Sequence, residues 1–180
     1  MKYDILISIK PYWAYKIMKG EKRIEVRKFM LTDSNWSKKV IGYVSKDKQS
    51  LKRIPAEDRA VFMKYIGKVA FEFLVSNPHV LKENPMTPTG YRHVCLTERE
   101  LEAYAKGKPV YGYSFNDWDL WVYSNPKELS EFGITRPPQN YVRINEKPCS
   151  CFSNGRCLGT KEMKRCEYKG NYSECKKEDK

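Results

Sequence analysis

The sequence predicts an α+β fold, namely a small, curved, mixed or antiparallel sheet or partly closed β-barrel with peripheral helices. Short runs typical of strands recur six or seven times along the chain. Three or four helical patterns lie between them, and they are too short and the strands too close for a doubly wound parallel sheet. Apolar residues make up 41% of the 180 residues, which is enough for a packed core and excludes a wholly disordered chain.

The first elements alternate between strand and helix. Residues 5–9, Ile-Leu-Ile-Ser-Ile, form an apolar run that predicts a buried strand. Pro11 suits the first turn of a helix, and Gly20 suits its C-terminal end. Residues 23–27 alternate charged and apolar side chains, which predicts a half-buried strand with an ionic outer face. Residues 40–44 predict a third strand.

The middle of the chain contains one strong strand between weaker signals. We expect residues 46–53 to form a basic loop, and Pro55 to open a helix that runs through Tyr65. Alternating large apolar residues predict a strand at 68–75. Several prolines and a glycine in residues 76–95 indicate a long connection.

The last elements begin with a capped helix. Thr97 and Glu100 match a capping box, and Gly107 is expected to end the helix that follows. The remaining predicted elements are strands at 110–115, 120–123 and 141–144 and a short helix at 126–132.

Charge favours a polyanionic partner, most often a nucleic acid. The net charge is +12, and residues 1–70 hold 17 Lys and Arg against 7 Asp and Glu. No run approaches the roughly 18 apolar residues of a membrane-spanning helix. The first residues also lack the layout of a signal peptide, so we expect a cytoplasmic protein without membrane attachment.

The most informative stretch is residues 8–27, SIKPYWAYKIMKGEKRIEVR. Gly20 permits a left-handed turn after the helix. Lys22 lies at the entry to the next strand, where its ammonium group can point along a cleft. Glu25 and Arg27 share one strand face, so they can pair with each other or both contact a ligand. The alternative is an ordinary surface ion pair of little energetic value.

This stretch resembles the opening of an ASCH (activating-signal-cointegrator homology) domain, a branch of the PUA-like superfamily. The shared pattern is a strand, a Lys-Pro-aromatic helix start and then Gly-x-Lys-x-x-Glu-x-Arg. Residues 67–73, GKVAFEF, resemble a later strand of that family, and residues 136–142, RPPQNYV, resemble its Pro-Pro-Gln segment. The resemblance covers roughly residues 3–145.

The resemblance implies a PUA-like β-barrel with a cleft beside the first helix, and a role in RNA binding. It also implies an alternative, because one bacterial subgroup hydrolyses acylated cytidines with a Lys at the position of Lys22, a Thr and a downstream Glu. This sequence has Glu25 where that subgroup has Thr. The downstream Glu would be Glu98, Glu100 or Glu102, and Glu100 is already the expected capping partner.

We therefore predict a non-enzymatic domain at residues 1–146 that binds RNA or a modified nucleotide. The alternative is a small amidohydrolase that acts on acylated cytidine-type nucleosides, with Lys22 and Glu25 as catalytic residues. A third hypothesis is a protein-interaction module with a basic face. The predicted ligand-binding residues are Lys10, Tyr12, Lys22, Glu25, Arg27, Trp36 and Gln139.

Aromatic side chains, 13% of the chain, are interleaved with Lys and Arg. Aromatic rings can stack on bases while basic side chains hold phosphates. Trp36 lies in a polar segment and is the predicted stacking residue. We expect Trp13, Tyr15, Trp118 and Trp121 to lie in the core or in the barrel wall.

The basic tail at residues 147–180 contains five of the six cysteines and is expected to be a separate appendage. Four thiolates can hold a tetrahedral zinc ion, and a short segment with few apolar residues needs such a staple to fold. Free thiols remain an alternative, as do disulfides, which a reducing compartment disfavours. The predicted zinc ligands are Cys149, Cys151, Cys157 and Cys166, with Cys175 as the alternative fourth ligand.

Overall fold

The computed structural model describes residues 4–31, 38–75, 79–81, 88–144, 152–153 and 156–157. The chain divides into two compact units, Met1–Val142 and Arg143–Lys180. The predicted boundary between residues 146 and 147 stays a prediction. None of the helices in the described part of the chain combines the length and the apolar character that a membrane crossing requires.

The first unit is built on a five-stranded mixed sheet. Its strands are β1 (Ile5–Ile9), β3 (Lys38–Val44), β4 (Val69–Val75), β7 (Leu120–Lys127) and β8 (Tyr141–Arg143). The strand order is β7-β4-β3-β1-β8. β1 pairs with β3 in parallel, whereas β3 with β4 and β4 with β7 are antiparallel. Parallel neighbours need a crossover connection, and here that crossover carries the first helix and β2.

A second sheet of three strands has the order β2-β6-β5, and all its pairings are antiparallel. Its members are β2 (Ile24–Arg27), β5 (His79–Val80) and β6 (Tyr111–Ser114). In the second unit, β9 (Phe152–Ser153) and β10 (Arg156–Cys157) form an antiparallel pair. The predicted α+β class is confirmed, although no closed barrel is found among the described strands.

In the described part of the chain, five α-helices flank the sheets. They are α1 (Pro11–Met18), α2 (Lys48–Lys52), α3 (Ala56–Phe62), α4 (Pro88–Val94) and α5 (Glu98–Ala105). Short 3-10 helices occupy Met63–Tyr65, Asp117–Asp119 and Leu129–Phe132. The capping box of α5 is present, because Thr97 accepts from the Glu100 amide while the Glu100 carboxylate accepts from the Thr97 amide.

Three predicted segments differ from the structure. The expected basic loop contains α2, because the Asp47 carboxylate accepts from the Ser50 amide and caps this short helix. The expected long connection contains α4, in which Pro88 takes the first position. The prediction of a short helix at residues 126–132 is wrong at its start, because β7 continues to Lys127. Only the 3-10 turn at Leu129–Phe132 follows.

The main core lies on one face of the five-stranded sheet, beneath α1 and α3. Gly42 of β3 permits a close approach there, because a Cβ at this position would lie 2.3 Å from the Phe71 ring. Tyr15 is buried in this core as expected. The same expectation is wrong for Trp118 and Trp121, which are 84% and 68% exposed.

Candidate functional site

The candidate site begins at the turn between α1 and β2. Gly20 adopts the left-handed conformation, φ +73°, which ends the helix. The amides of Glu21 and Lys22 then both donate to the Lys16 carbonyl at 3.0 Å and close the turn. Antiparallel pairing of β2 with β6 fixes the strand that follows, with Glu25 opposite Tyr113.

Lys22, Glu25 and Arg27 form a buried ionic triad. The Lys22 ammonium lies 3.6 Å from Glu25 Oε2, and Arg27 Nη2 lies 2.9 Å from Glu25 Oε1. The three residues are 3%, 5% and 8% exposed. The alternative of an ordinary surface ion pair is therefore wrong, because these charges are held away from solvent and are weakly screened.

Backbone carbonyls position the two basic members of this triad. Lys22 Nζ donates to the carbonyls of Ile24 at 2.6 Å and Val94 at 3.2 Å. Arg27 Nη2 also donates to the Ser8 carbonyl at 2.8 Å. Burial lowers the pKa of Lys22, and the neighbouring Glu25 carboxylate opposes part of that effect. The amine thus sits in an enclosed place that favours proton loss, while the acceptors around it favour the charged form.

The triad lines a cavity of about 360 Å³, called here the base cavity. Its apolar wall includes Trp13 and Tyr104, which carry large flat rings, and Leu96. The complete lining is Ser8, Ile9, Lys10, Trp13, Lys22, Glu25, Val26, Arg27, Ser45, Leu96, Tyr104, Gln139 and Asn140. The cavity thus combines aromatic surface with polar groups contributed by several distant segments.

Three buried polar atoms in this lining have no hydrogen-bond partner among the described residues. They are Glu25 Oε2, Arg27 Nε and Ser45 Oγ. A buried polar atom without a partner costs about 1–3 kcal/mol, so such atoms are rare in folded proteins. One acceptor, one donor and one hydroxyl in the residues that line the base cavity thus make no hydrogen bond among the described residues, although Glu25 Oε2 keeps its ion pair with Lys22.

Five of the predicted ligand-binding residues meet in the base cavity: Lys10, Lys22, Glu25, Arg27 and Gln139. Two hydrogen bonds hold the segment beside Gln139, because Ser8 donates from Oγ to the Pro138 carbonyl at 2.6 Å and from its amide to the Asn140 carbonyl at 3.0 Å. Whether these side chains bind a ligand stays a prediction.

Tyr12, another predicted ligand-binding residue, is not in the lining. The Tyr12 ring instead packs edge-on against Trp13, and the Arg53 guanidinium lies 4.0 Å from its centre. Lys10 reaches the cavity but is mostly exposed and pairs with Asp47 at 3.3 Å. Trp36 lies outside the described residues.

Sequence reasoning missed Ser45, Leu96 and Tyr104. Ser45 follows β3, where a single serine carries no signal of its own. Tyr104 matches the apolar stripe of α5, so its pattern predicts core packing rather than a cavity wall. Only the folded chain brings these residues to Lys22 and Glu25.

Most of the predicted zinc ligands lie outside the described residues. Cys157 ends β10, and the other four predicted thiols are not described. Within the described ranges no three His, Cys, Asp or Glu side chains come close enough to hold a metal ion. Zinc binding by the tail stays a prediction.

Comparison with solved structures identifies the fold of this chain. No family model and no curated protein sequence matches the chain. Among solved structures, the chain is similar to the ASCH protein from Zymomonas mobilis, with a TM-score of 0.55 and 16% identity over 79% of this chain and 87% of that one. Two point variants of that protein match with TM-scores of 0.55 and 0.56, at 15% and 14% identity. They cover 79% and 81% of this chain and 88% and 92% of their own. The chain therefore has the ASCH fold that its motif predicted.

Proposed function

We propose that this ASCH-fold chain binds a nucleobase, plain or modified, of an RNA or nucleotide ligand in the base cavity. The observation that carries the proposal is a cavity with aromatic walls whose lining residues include three polar atoms without a hydrogen bond among the described residues, namely Glu25 Oε2, Arg27 Nε and Ser45 Oγ. A ligand that hydrogen-bonds to these residues must also tolerate flat apolar surfaces.

The size of the cavity supports a ligand of nucleoside dimensions. A volume of about 360 Å³ lies at the lower end of the range for small-molecule sites, which starts at about 300 Å³. Trp13 and Tyr104 supply aromatic surface of the kind on which unpaired bases stack. The Lys28 ammonium lies 4.7 Å from the centre of the Tyr104 ring and adds a positive charge beside it.

The polar groups favour a base over a phosphate. Glu25 Oε2 faces the Lys22 ammonium at 3.6 Å but accepts no hydrogen bond, and Arg27 Nε donates none among the described residues. The edge of a base presents donors and acceptors side by side, and a carboxylate readily accepts from an exocyclic amino group. A phosphate has only acceptors, and the Glu25 carboxylate would repel it. The basic side chains of residues 1–70 would then serve the backbone outside the cavity.

The amidohydrolase alternative has one observation in its favour, the pKa of Lys22, which burial lowers. A hydrolase also needs an acid for the leaving amine. Among the described residues that line the base cavity, Glu25 is the single carboxylate, and Arg27 already engages it. Glu100 is committed to its capping box. These contacts favour binding over turnover.

The Ser45→Ala variant tests the proposal without disturbing the fold. Ser45 Oγ makes no hydrogen bond within the described chain, so the variant should unfold as the wild type does. Loss of one ligand hydrogen bond should weaken binding about fivefold. Ser124→Ala, on an exposed position of β7, is the matched control and should change neither property.

The assay is calorimetric titration with the four nucleosides, N4-acetylcytidine and short single-stranded RNAs at low salt. Binding of any of these probes that Ser45→Ala weakens supports the proposal, whereas no binding of any probe overturns it. Release of acetate from N4-acetylcytidine that Lys22→Ala abolishes would establish the hydrolase instead. Salt-dependent capture of an acidic protein free of nucleic acid would favour the protein-interaction hypothesis.

A further inference from the structure

A second cavity of about 470 Å³, called here the basic cavity, lies beside the turn that ends α1. Its lining is Gly20, Glu21, Arg23, Arg92, His93 and Cys95. The one acid, Glu21, is already engaged by the Lys16 ammonium. Arg92 is exposed and has no ion pair among the described residues. Because the Asp117 carboxylate pairs with Arg23, the excess of positive charge at the basic cavity is that of Arg92.

Residues that are adjacent in sequence line the basic cavity and the base cavity. Lys22 lines the base cavity and the next residue, Arg23, lines the basic cavity. Cys95 lines the basic cavity and the next residue, Leu96, lines the base cavity. Two hydrogen bonds hold these segments together, from the Arg23 amide to the His93 carbonyl at 2.9 Å and from Lys22 Nζ to the Val94 carbonyl at 3.2 Å.

Trp118 lies one residue after Asp117, with most of its side chain in solvent. It is 84% exposed, which is unusual for so large an apolar side chain. The preceding residue, Asp117, binds Arg23 Nη2 through its carboxylate at 2.6 Å. This ion pair links the 3-10 turn that contains Trp118 to Arg23, which lines the basic cavity. An exposed ring beside an excess of positive charge is the combination that single-stranded nucleic acids recognise.

We propose that the basic cavity and Trp118 form a flanking subsite for a single-stranded RNA whose recognised base occupies the base cavity. This inference rests on the proposed function and extends it from a nucleotide to a strand. Arg92 holds the phosphate that joins the recognised nucleotide to its neighbour. The neighbouring base stacks on Trp118.

The second exposed tryptophan provides a matched control. Trp121 lies three residues further along in β7, opposite Glu72 of β4. The Glu72 carboxylate pairs with Lys39 at 2.7 Å, so the ion pair opposite Trp121 carries no net charge. We therefore expect RNA to stack on Trp118 and not on Trp121.

The test compares a nucleoside monophosphate with a single-stranded pentanucleotide of the same base, for each of the four bases, by fluorescence anisotropy competition. The wild type should bind the pentanucleotide more tightly than the monophosphate. Trp118→Ala should weaken pentanucleotide binding roughly 5- to 100-fold and leave monophosphate binding unchanged. Trp121→Ala should change neither, and thermal unfolding should show all variants folded.

Salt dependence provides a second readout. Arg92→Ala should weaken pentanucleotide binding and reduce the slope of log affinity against log salt by about 0.7, the value for one lost phosphate contact on a single strand. Equal pentanucleotide affinity in the wild type and Trp118→Ala would overturn the flanking subsite. Binding of the monophosphate with no gain for the pentanucleotide would also overturn it while leaving the proposed function intact. If neither probe binds, the proposed function itself fails.

Discussion

The buried triad makes Glu25→Gln the most informative single substitution. Glutamine preserves the shape of the side chain and one carbonyl oxygen, so Arg27 Nη2 retains an acceptor near its present 2.9 Å contact. The negative charge is lost, and Lys22 and Arg27 then face each other in a nearly solvent-free place. The expected result is a less stable but folded protein.

The size of the effect follows from the distances. At an effective dielectric constant of about 20, unit charges at 2.9 and 3.6 Å attract each other by about 6 and about 5 kcal/mol, before the cost of desolvation is subtracted. Removal of one partner from a buried ion pair costs about 3–5 kcal/mol net. Because glutamine keeps one hydrogen bond, we expect about 3 kcal/mol, which is a fall of roughly 6–12 °C in Tm.

Urea unfolding followed by circular dichroism measures this loss. Glu57→Gln, at an exposed position of α3, is the control and should stay within about 0.5 kcal/mol of the wild type. The loss in Glu25→Gln should also persist between about 0.05 and about 0.5 M salt, since burial shields the triad from screening. A loss below 0.5 kcal/mol, or one that disappears with added salt, would refute the reasoning.

Three further predictions concern the pKa of Lys22, a close contact in the core and a helix cap. Burial lowers the pKa of Lys22 in the folded state, so between that pKa and 10.5 the unfolded chain binds the extra proton. Wild-type stability should therefore rise with pH relative to Lys22→Met, and urea midpoints that show a constant or falling difference from pH 6 to 10 would contradict this. Gly42→Ala should cost about 1–3 kcal/mol, because its Cβ would lie 2.3 Å from the Phe71 ring, and Phe71→Leu should restore part of that loss in the double variant. Thr97→Ala should cost about 1 kcal/mol in thermal unfolding through loss of the α5 cap, whereas Thr97→Ser should remain close to the wild type.

Much of the fold could be predicted from the sequence because several signals are local. The apolar run of β1, the proline at the start of α1 and the Thr97 capping box each depend on a few neighbouring residues. The partition of strands into two sheets could not be predicted in this way. β6 and β7 are close in sequence yet lie in different sheets, because β6 pairs with β2 while β7 pairs with β4.

The charged residues of the candidate site could be predicted from the sequence, whereas the cavity around them could not. The spacing of Lys22, Glu25 and Arg27 indicates an ionic cluster, and that cluster exists. The cavity beside it is also lined by Leu96 and Tyr104, which follow more than sixty residues later and carry no local mark of a cavity. The exposure of Trp118 was missed for a similar reason, since a large apolar residue is by default expected inside.

The walls of the base cavity come from segments as distant as Ser8 and Asn140, so an isolated peptide of residues 8–27 contains the motif without the site. Ligand affinity is therefore a property of the assembled unit. A ligand that binds only the assembled unit raises its unfolding free energy, by about 2.7 kcal/mol at a hundredfold excess over Kd. Thermal-shift screening of a nucleoside and oligonucleotide library can consequently identify the ligand before any reaction is known, and a hit reports on the whole cavity at once.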